Sequence, residues 1–203
     1  PESGKNTGDT SRNLIGTAFF AHSAKLTAQA AEVLGKTEEQ AKYEALYQTV
    51  AKAFDDRFFD ETGKVKGVKE TQTSYLLALA FDLLPDHKIN NAQTNLLRKL
   101  KDADNHLRTG FLGTPLLSRV LDDMDEVDLV YKLLFNETYP SWFYSINQGA
   151  TTIWERWNSY SKTEGYNPMS MNSLNHYAYG AIGEWIYERI AGIAPLEAGY
   201  KVI

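Results

Sequence analysis

The stretch Thr71-Gln-Thr-Ser-Tyr-Leu-Leu-Ala-Leu-Ala-Phe-Asp-Leu-Leu84 decides the fold. Its apolar residues (Tyr75, Leu76, Leu77, Leu79, Phe81) surround most of a helix that Pro85 should end. A helix apolar on most sides is buried from more than one direction, so helices with a single apolar face must wall it in. Upstream, Leu14, Ala18, Phe19, Leu26, Ala30, Val33 and Leu34 recur at helical spacing, and Gly35 supplies a C-terminal stop. Thr37 with Gln40 reads as a capping box opening a second helix, with Tyr43, Leu46, Tyr47, Val50 and Phe54 on its inner face. These two helices form a hairpin. A turn-rich loop through Asp60 and Gly67 separates them from the buried helix.

Downstream, the pattern predicts a helix over Asn90 to Lys101, with Ala92, Leu96, Leu97 and Leu100 inward. Shorter helices follow near Leu116 to Leu121 and Asp125 to Phe135. Residues 136–173 read as an aromatic segment with brief helical pieces. A last helix, capped by Asn172 or Ser173, turns Tyr177, Ala178, Ala181, Ile182, Trp185 and Ile186 inward, and Gly192 and Pro195 close it. No strand alternates over more than a few residues. The fold class is all-α: helical hairpins, each pairing a mostly buried helix with an amphipathic one, as concentric helical barrels are built. About three hairpins and part of a fourth are present, fewer than a closed barrel of six. The chain is either an open array or the later half of a larger barrel.

Composition narrows the partners. The chain has 203 residues, net charge −5 and no long basic run, which argues against nucleic acid. No apolar run approaches the roughly 20 residues of a membrane span. There is no cysteine, P-loop, dinucleotide fingerprint or Gly-x-Ser-x-Gly. The four histidines (His22, His87, His106, His176) lack ligand spacing, so neither metal nor cofactor is expected.

What remains is carboxylates beside aromatics. Glu155 lies between Trp154 and Trp157, after Gly149 and Thr151-Thr152. The threonines are natural N-caps, which would put Glu155 in the first turn of a short helix, where the dipole favours an anion. A general base must be ionised, and tryptophan faces suit the C–H faces of sugars. By residue type alone the bland alternative stands beside this one: core tryptophans, and a Glu155 paired with Arg156 or a helix N-terminus. His176 is either a capping or core histidine or a donor to a substrate hydroxyl. Trp142 is either packing or a sugar platform. The acidic run from Asp122 to Asp128 reads as a helix start and a solvated face.

Four blocks occur in order: Thr109-Gly-Phe-Leu-Gly-Thr114, Glu137-Thr-Tyr-Pro-Ser-Trp142, Gly149-Ala-Thr-Thr-Ile-Trp-Glu-Arg-Trp157 and Asn175-His-Tyr-Ala-Tyr-Gly180. With Asn13-Leu-Ile-Gly-Thr-Ala-Phe-Phe20 and Thr71-Gln-Thr-Ser-Tyr75, they resemble the later part of the catalytic domain of bacterial α-L-rhamnosidases, glycoside hydrolase family 78. The resemblance spans nearly the whole chain. It implies that residues 1–203 are the C-terminal part of an (α/α)6 barrel and that the reaction is inverting hydrolysis of terminal α-L-rhamnose. It further implies Glu155 as general base and His176 as a residue touching the rhamnose, while Trp142 and Trp154 stand as substrate-binding candidates on residue type, as rings that can stack on a sugar. The implied partners are a rhamnose-containing carbohydrate and the remainder of the barrel domain. The family's general acid belongs to an acidic Arg- and Trp-containing motif that this chain lacks, so the isolated chain is expected to be inactive. Asn158 stands where the family favours Asp. Two rival readings are another inverting glycosidase or polysaccharide lyase on the same barrel, and a non-catalytic carbohydrate-binding scaffold.

Overall fold

A computed structural model describes residues 8–197 and 199–203. The chain divides into two units, residues 8–103 and 104–203, each with its own core. In the first, α1 (Arg12–Val33) and α2 (Thr37–Phe58) lie side by side as a hairpin. The buried stripe of α1 is Leu14, Ala18, Ala21, Ala24, Ala28 and Ala31. Of the apolar residues that recur at helical spacing, Leu26, Ala30, Val33 and Leu34 are exposed, Val33 at 86%. Small side chains let two helix backbones approach closely, so position on the stripe, and not size, selects what is buried. Gly35, at φ +66°, ends α1, with the Lys36 N–H reaching the Ala31 carbonyl at 2.8 Å. That turn delivers Thr37 already inside α2, so no capping box forms. Glu38 and Glu39 complement the helix start instead. Tyr47, Val50 and Phe54 of α2 are buried as expected, Tyr43 and Leu46 are half-buried, and Phe58 joins the buried face.

After α2, Asp60 organises a tight turn by accepting the N–H groups of Thr62 and Lys64 at 2.9 and 3.0 Å. Gly63, at φ +72°, sits so close to the backbone at Lys88 that a Cβ would lie 2.7 Å from the Lys88 carbonyl oxygen. The helix that decides the fold is α3 (Gln72–Ala80). Thr71 caps it by accepting the Ser74 N–H at 3.1 Å, and residues 72–78 are all buried. It ends four residues before Leu84, because Asp82 turns left-handed (φ +53°) and the Leu83 N–H closes onto the Ala78 carbonyl at 2.9 Å. Phe81, Leu83 and Leu84 remain buried in that turn. Pro85, extended at ψ 151°, begins the next element and does not end the last one. α4 therefore runs Asp86–Lys101, four residues longer than predicted, with Ala92, Leu96 and Leu100 buried. Lys88 on α4 donates to both oxygens of Asp55 on α2, at 3.0 and 2.9 Å, in a buried ion pair.

In the second unit, α5 (Thr114–Asp123) and α6 (Val127–Leu134) are joined by a left-handed Asp125 (φ +61°). Leu117, Val120, Leu121, Val130 and Leu133 form their shared apolar side. The acidic run is only partly solvated: Asp122 is largely covered and pairs with Arg189 at 2.5 Å. α7 (Trp142–Asn147) is capped by Ser141, which accepts the Tyr144 N–H at 3.0 Å. A loop carrying the small antiparallel pair β1 (Tyr160–Ser161) and β2 (Gly165–Tyr166) follows. The predicted last helix is a composite: a 3-10 turn (Ala178–Ala181), α8 (Ile182–Trp185) and a wider turn (Ile186–Ile190). Neither Asn172 nor Ser173 caps it, because both are engaged in the loop described below. Tyr177 is 88% exposed, against the inward position predicted. Among the described residues no helix is long and apolar enough to cross a membrane.

Candidate active site

The chain leaves α7 through Gly149 (φ +103°), and the Ala150 N–H returns to the Ser145 carbonyl at 3.0 Å. No helix follows. Residues 151–159 are irregular, so Glu155 does not occupy a helical first turn and the threonines cap nothing. Thr152 instead donates its hydroxyl to the Leu174 carbonyl. The reason is that this backbone finds its partners across the loop. The Glu155 N–H donates to the Ser173 carbonyl at 2.9 Å, and the His176 N–H to the Ile153 carbonyl at 2.8 Å. A backbone satisfied in this way has no need of helical bonds.

The same pairing fixes the carboxylate. Oε2 of Glu155 accepts the Ser173 N–H at 2.8 Å, while Oε1 has no partner among the described residues. Glu155 is half-buried. The next residue braces the loop from the other side: Arg156 donates Nε to the Met171 carbonyl and Nη2 to the Ser170 carbonyl, both at 2.9 Å. Asn172 adds bonds to the Ser159 and Asn167 carbonyls at 3.1 and 3.0 Å. Glu155 is thus a positioned acceptor with one oxygen committed and the other open.

His176 is half-buried and its ring is oriented by three contacts. Nδ1 accepts the Ala178 N–H at 3.3 Å, so the neutral ring carries its proton on Nε2. Phe111 stacks on it at 4.7 Å and 18°, and Tyr177 lies parallel at 5.4 Å and 6°. Nε2 has no hydrogen-bond partner among the described residues, which leaves a donor free.

The tryptophans sit behind this rim. Trp157 stacks on Tyr179 at 3.9 Å, and Trp142 meets Trp157 edge-on at 5.2 Å while donating its indole N–H to the Tyr179 carbonyl at 2.8 Å. Trp154 is edge-on to Tyr160 at 6.4 Å. Trp142 and Trp154 are 8% and 6% exposed, a burial that favours the packing reading of both rings over a sugar platform. Burial pushes the Tyr179 phenol up to about 12, with Tyr139 and Glu155 adding to the effect and Arg156 opposing it. Those three groups therefore lie within electrostatic reach of one buried ring. A cavity of about 360 Å³ in the same unit is lined by Tyr139, Tyr144, Asn158, Glu164, Tyr166 and Asn167, and neither Glu155 nor His176 is among its lining residues.

Sequence reasoning missed Phe111, Ser173 and Tyr179. Phe111 and Tyr179 stand inside two of the blocks quoted above, yet only tertiary packing brings them to His176 and Trp157. Ser173 acts through its backbone N–H, which has no signature in a sequence.

Residues 1–190 match the bacterial alpha-L-rhamnosidase 6 hairpin glycosidase domain. An α-L-rhamnosidase of Formosa agariphila is 77% identical over all 203 residues, which cover 22% of that relative. The crystal structure of Streptomyces avermitilis α-L-rhamnosidase complexed with L-rhamnose matches 95% of the chain at TM-score 0.89 and 46% identity, covering 19% of that protein. The native α-L-rhamnosidase of Aspergillus terreus matches 95% at TM-score 0.90 and 35% identity, covering 22% of it. The chain thus spans about a fifth of the length of the relatives it matches, and its helical hairpins are those of part of an (α/α)6 barrel.

Proposed function

Because this chain belongs to the bacterial α-L-rhamnosidase six-hairpin glycosidase family, we propose that it supplies the general base of an inverting glycosidase that releases terminal α-L-rhamnose. The observation that carries the reading is the Glu155 carboxylate. One oxygen is anchored on the Ser173 N–H at 2.8 Å and the other is left open, on a loop braced by Arg156. An open, oriented carboxylate oxygen can accept a proton from water as that water attacks the anomeric carbon. A separate carboxylic acid protonates the departing glycosidic oxygen from the opposite side, about 6.5–9.5 Å away in inverting enzymes. No segment of this chain carries the family's acid motif, so we assign the acid to the remainder of the barrel domain. His176, with Nε2–H free, donates to a hydroxyl of the sugar. Trp142 and Trp154 support the site from behind.

The test is Glu155→Gln in the full-length polypeptide, assayed on an aryl α-L-rhamnoside. The amide oxygen introduced there can still accept the Ser173 N–H, so folding is retained, while basicity is lost. kcat should fall by about 10²–10⁴-fold, the range for a general acid–base group. Near-normal turnover would remove Glu155 from the mechanism. A wild-type protein that binds rhamnose without hydrolysing any aryl glycoside would support the non-catalytic scaffold, and an unsaturated uronic product would support a lyase.

A further inference from the structure

The ring of His176 is built into the fold by a residue far earlier in the chain, for which neither the family blocks nor the proposed chemistry gives a role. We propose that Phe111 is a positioning residue for His176, holding the imidazole plane so that Nε2–H points at the sugar. The inference rests on the assignment of His176 as a substrate donor. Three observations carry it. Phe111 lies nearly parallel to the His176 ring at 4.7 Å and 18°, the geometry of an offset stack. The Ala178 N–H to Nδ1 bond selects the tautomer but leaves rotation about it open, since at 3.3 Å it is long. The other flanking ring, Tyr177, is 88% exposed and therefore a poor anchor.

Phe111 is itself held. It packs at 5.5 Å against Tyr179, which is buried and stacked on Trp157. The chain on either side of it is pinned by the buried Thr109–Thr114 hydroxyl pair at 2.9 Å and by the Thr114 N–H to Gly110 carbonyl bond at 3.0 Å. Orientation therefore runs from the core through Tyr179 and Phe111 to the imidazole. The hydrogen bond His176 donates is made to bound sugar before and during reaction, so its loss acts mainly on binding.

The experiment is a double-mutant cycle in the full-length protein: wild type, Phe111→Leu, His176→Ala and the pair, each assayed for kcat and KM on an aryl α-L-rhamnoside. Phe111→Leu should raise KM by roughly 3- to 10-fold, the range an aromatic pair of this kind supports, with kcat within about twofold. Phe111→Tyr, which keeps the stack, should restore KM. In the His176→Ala background Phe111→Leu should change KM little, because the ring it orients is gone. Undiminished loss in that background, or loss confined to kcat, would overturn the proposal. If Phe111→Leu does not yield folded protein, Phe111→Met is read against the same criteria. Loss of turnover in Glu155→Gln together with a raised KM in His176→Ala, but no coupling to Phe111, would sink this inference alone. Absence of hydrolysis by the wild type would sink the functional reading it rests on.

Discussion

Residues 8–103 and residues 104–203 solve the same problem, satisfying backbone hydrogen bonds, by opposite means. In the first unit long helices bond their own backbones, and side chains are released for packing: Leu14, Phe54, Leu76 and Leu96 fill the core. In the second unit the stretch from Gly149 to Tyr177 has almost no regular structure. Its backbone groups are met by side chains and by neighbouring loop: Thr152 on Leu174, Arg156 on Ser170 and Met171, Asn172 on Ser159 and Asn167, Glu155 on Ser173. A helix presents side chains only at fixed angles, whereas a braced loop can aim a carboxylate and an imidazole independently. The cost is that polar side chains are committed to holding the loop, so a defect there reaches the proposed catalytic groups directly. A defect in the helical unit reaches stability first.

Breaking each region separately sharpens that contrast. The largest expected effect is on chemistry without stability: Glu155→Gln should lower kcat by about 10²–10⁴-fold and leave the melting temperature nearly unchanged. The mirror case is the buried pair of the helical unit. Lys88→Met leaves Asp55 uncompensated beside an apolar chain and should cost about 3–5 kcal/mol in denaturant titrations, with KM unaffected. Adding Asp55→Asn should recover most of that loss, and failure to recover would mean that packing, not charge, sets the cost. Asn172→Ala removes two bonds to loop carbonyls and should cost about 1–3 kcal/mol. It should also lower kcat, because it loosens the segment whose Ser173 N–H anchors the Glu155 carboxylate.

The smallest effect is a pH dependence. His22 stacks on Phe81 at 3.9 Å and its Nδ1 is buried without a hydrogen-bond partner among the described residues. Burial, helped by Lys25, holds its pKa below the ordinary 6.5. Its unfolded state therefore binds the proton more readily, so stability is full above about 6.5 and declines as pH falls from there towards the lower folded value. Melting temperatures measured from about pH 7.5 to about pH 5 should show this decline, and His22→Phe, which keeps the stack, should remove His22's share. An unchanged pH slope would show that His22 is not its source.

Legibility followed the same division. The helical hairpins, the burial of α3 on most sides and the stop at Gly35 could be read in advance, because helical periodicity and glycine's access to positive φ are local properties. Element ends were less legible: Asp82 in a left-handed turn ended α3 early, and Pro85 opened α4 without closing its predecessor. On α1 the large residues misled, since Leu26 and Val33 are exposed while an alanine stripe is buried. Glu155 and His176 stood out as candidates through ordered family blocks. The helical first turn assigned to Glu155 was wrong, because the bonds that shape its loop come from residues 170–176.

By itself the sequence determined the all-α class, the candidate carboxylate and imidazole, and the family to which the chain belongs, all of which depend on residue types and near spacing. Tertiary structure alone decided that Ser173 orients Glu155, that Phe111 faces His176 and that Trp142 and Trp154 lie in the core. Each of these depends on contacts between separate stretches of the chain, or acts through a backbone N–H that every non-proline residue shares, so no local pattern could encode it.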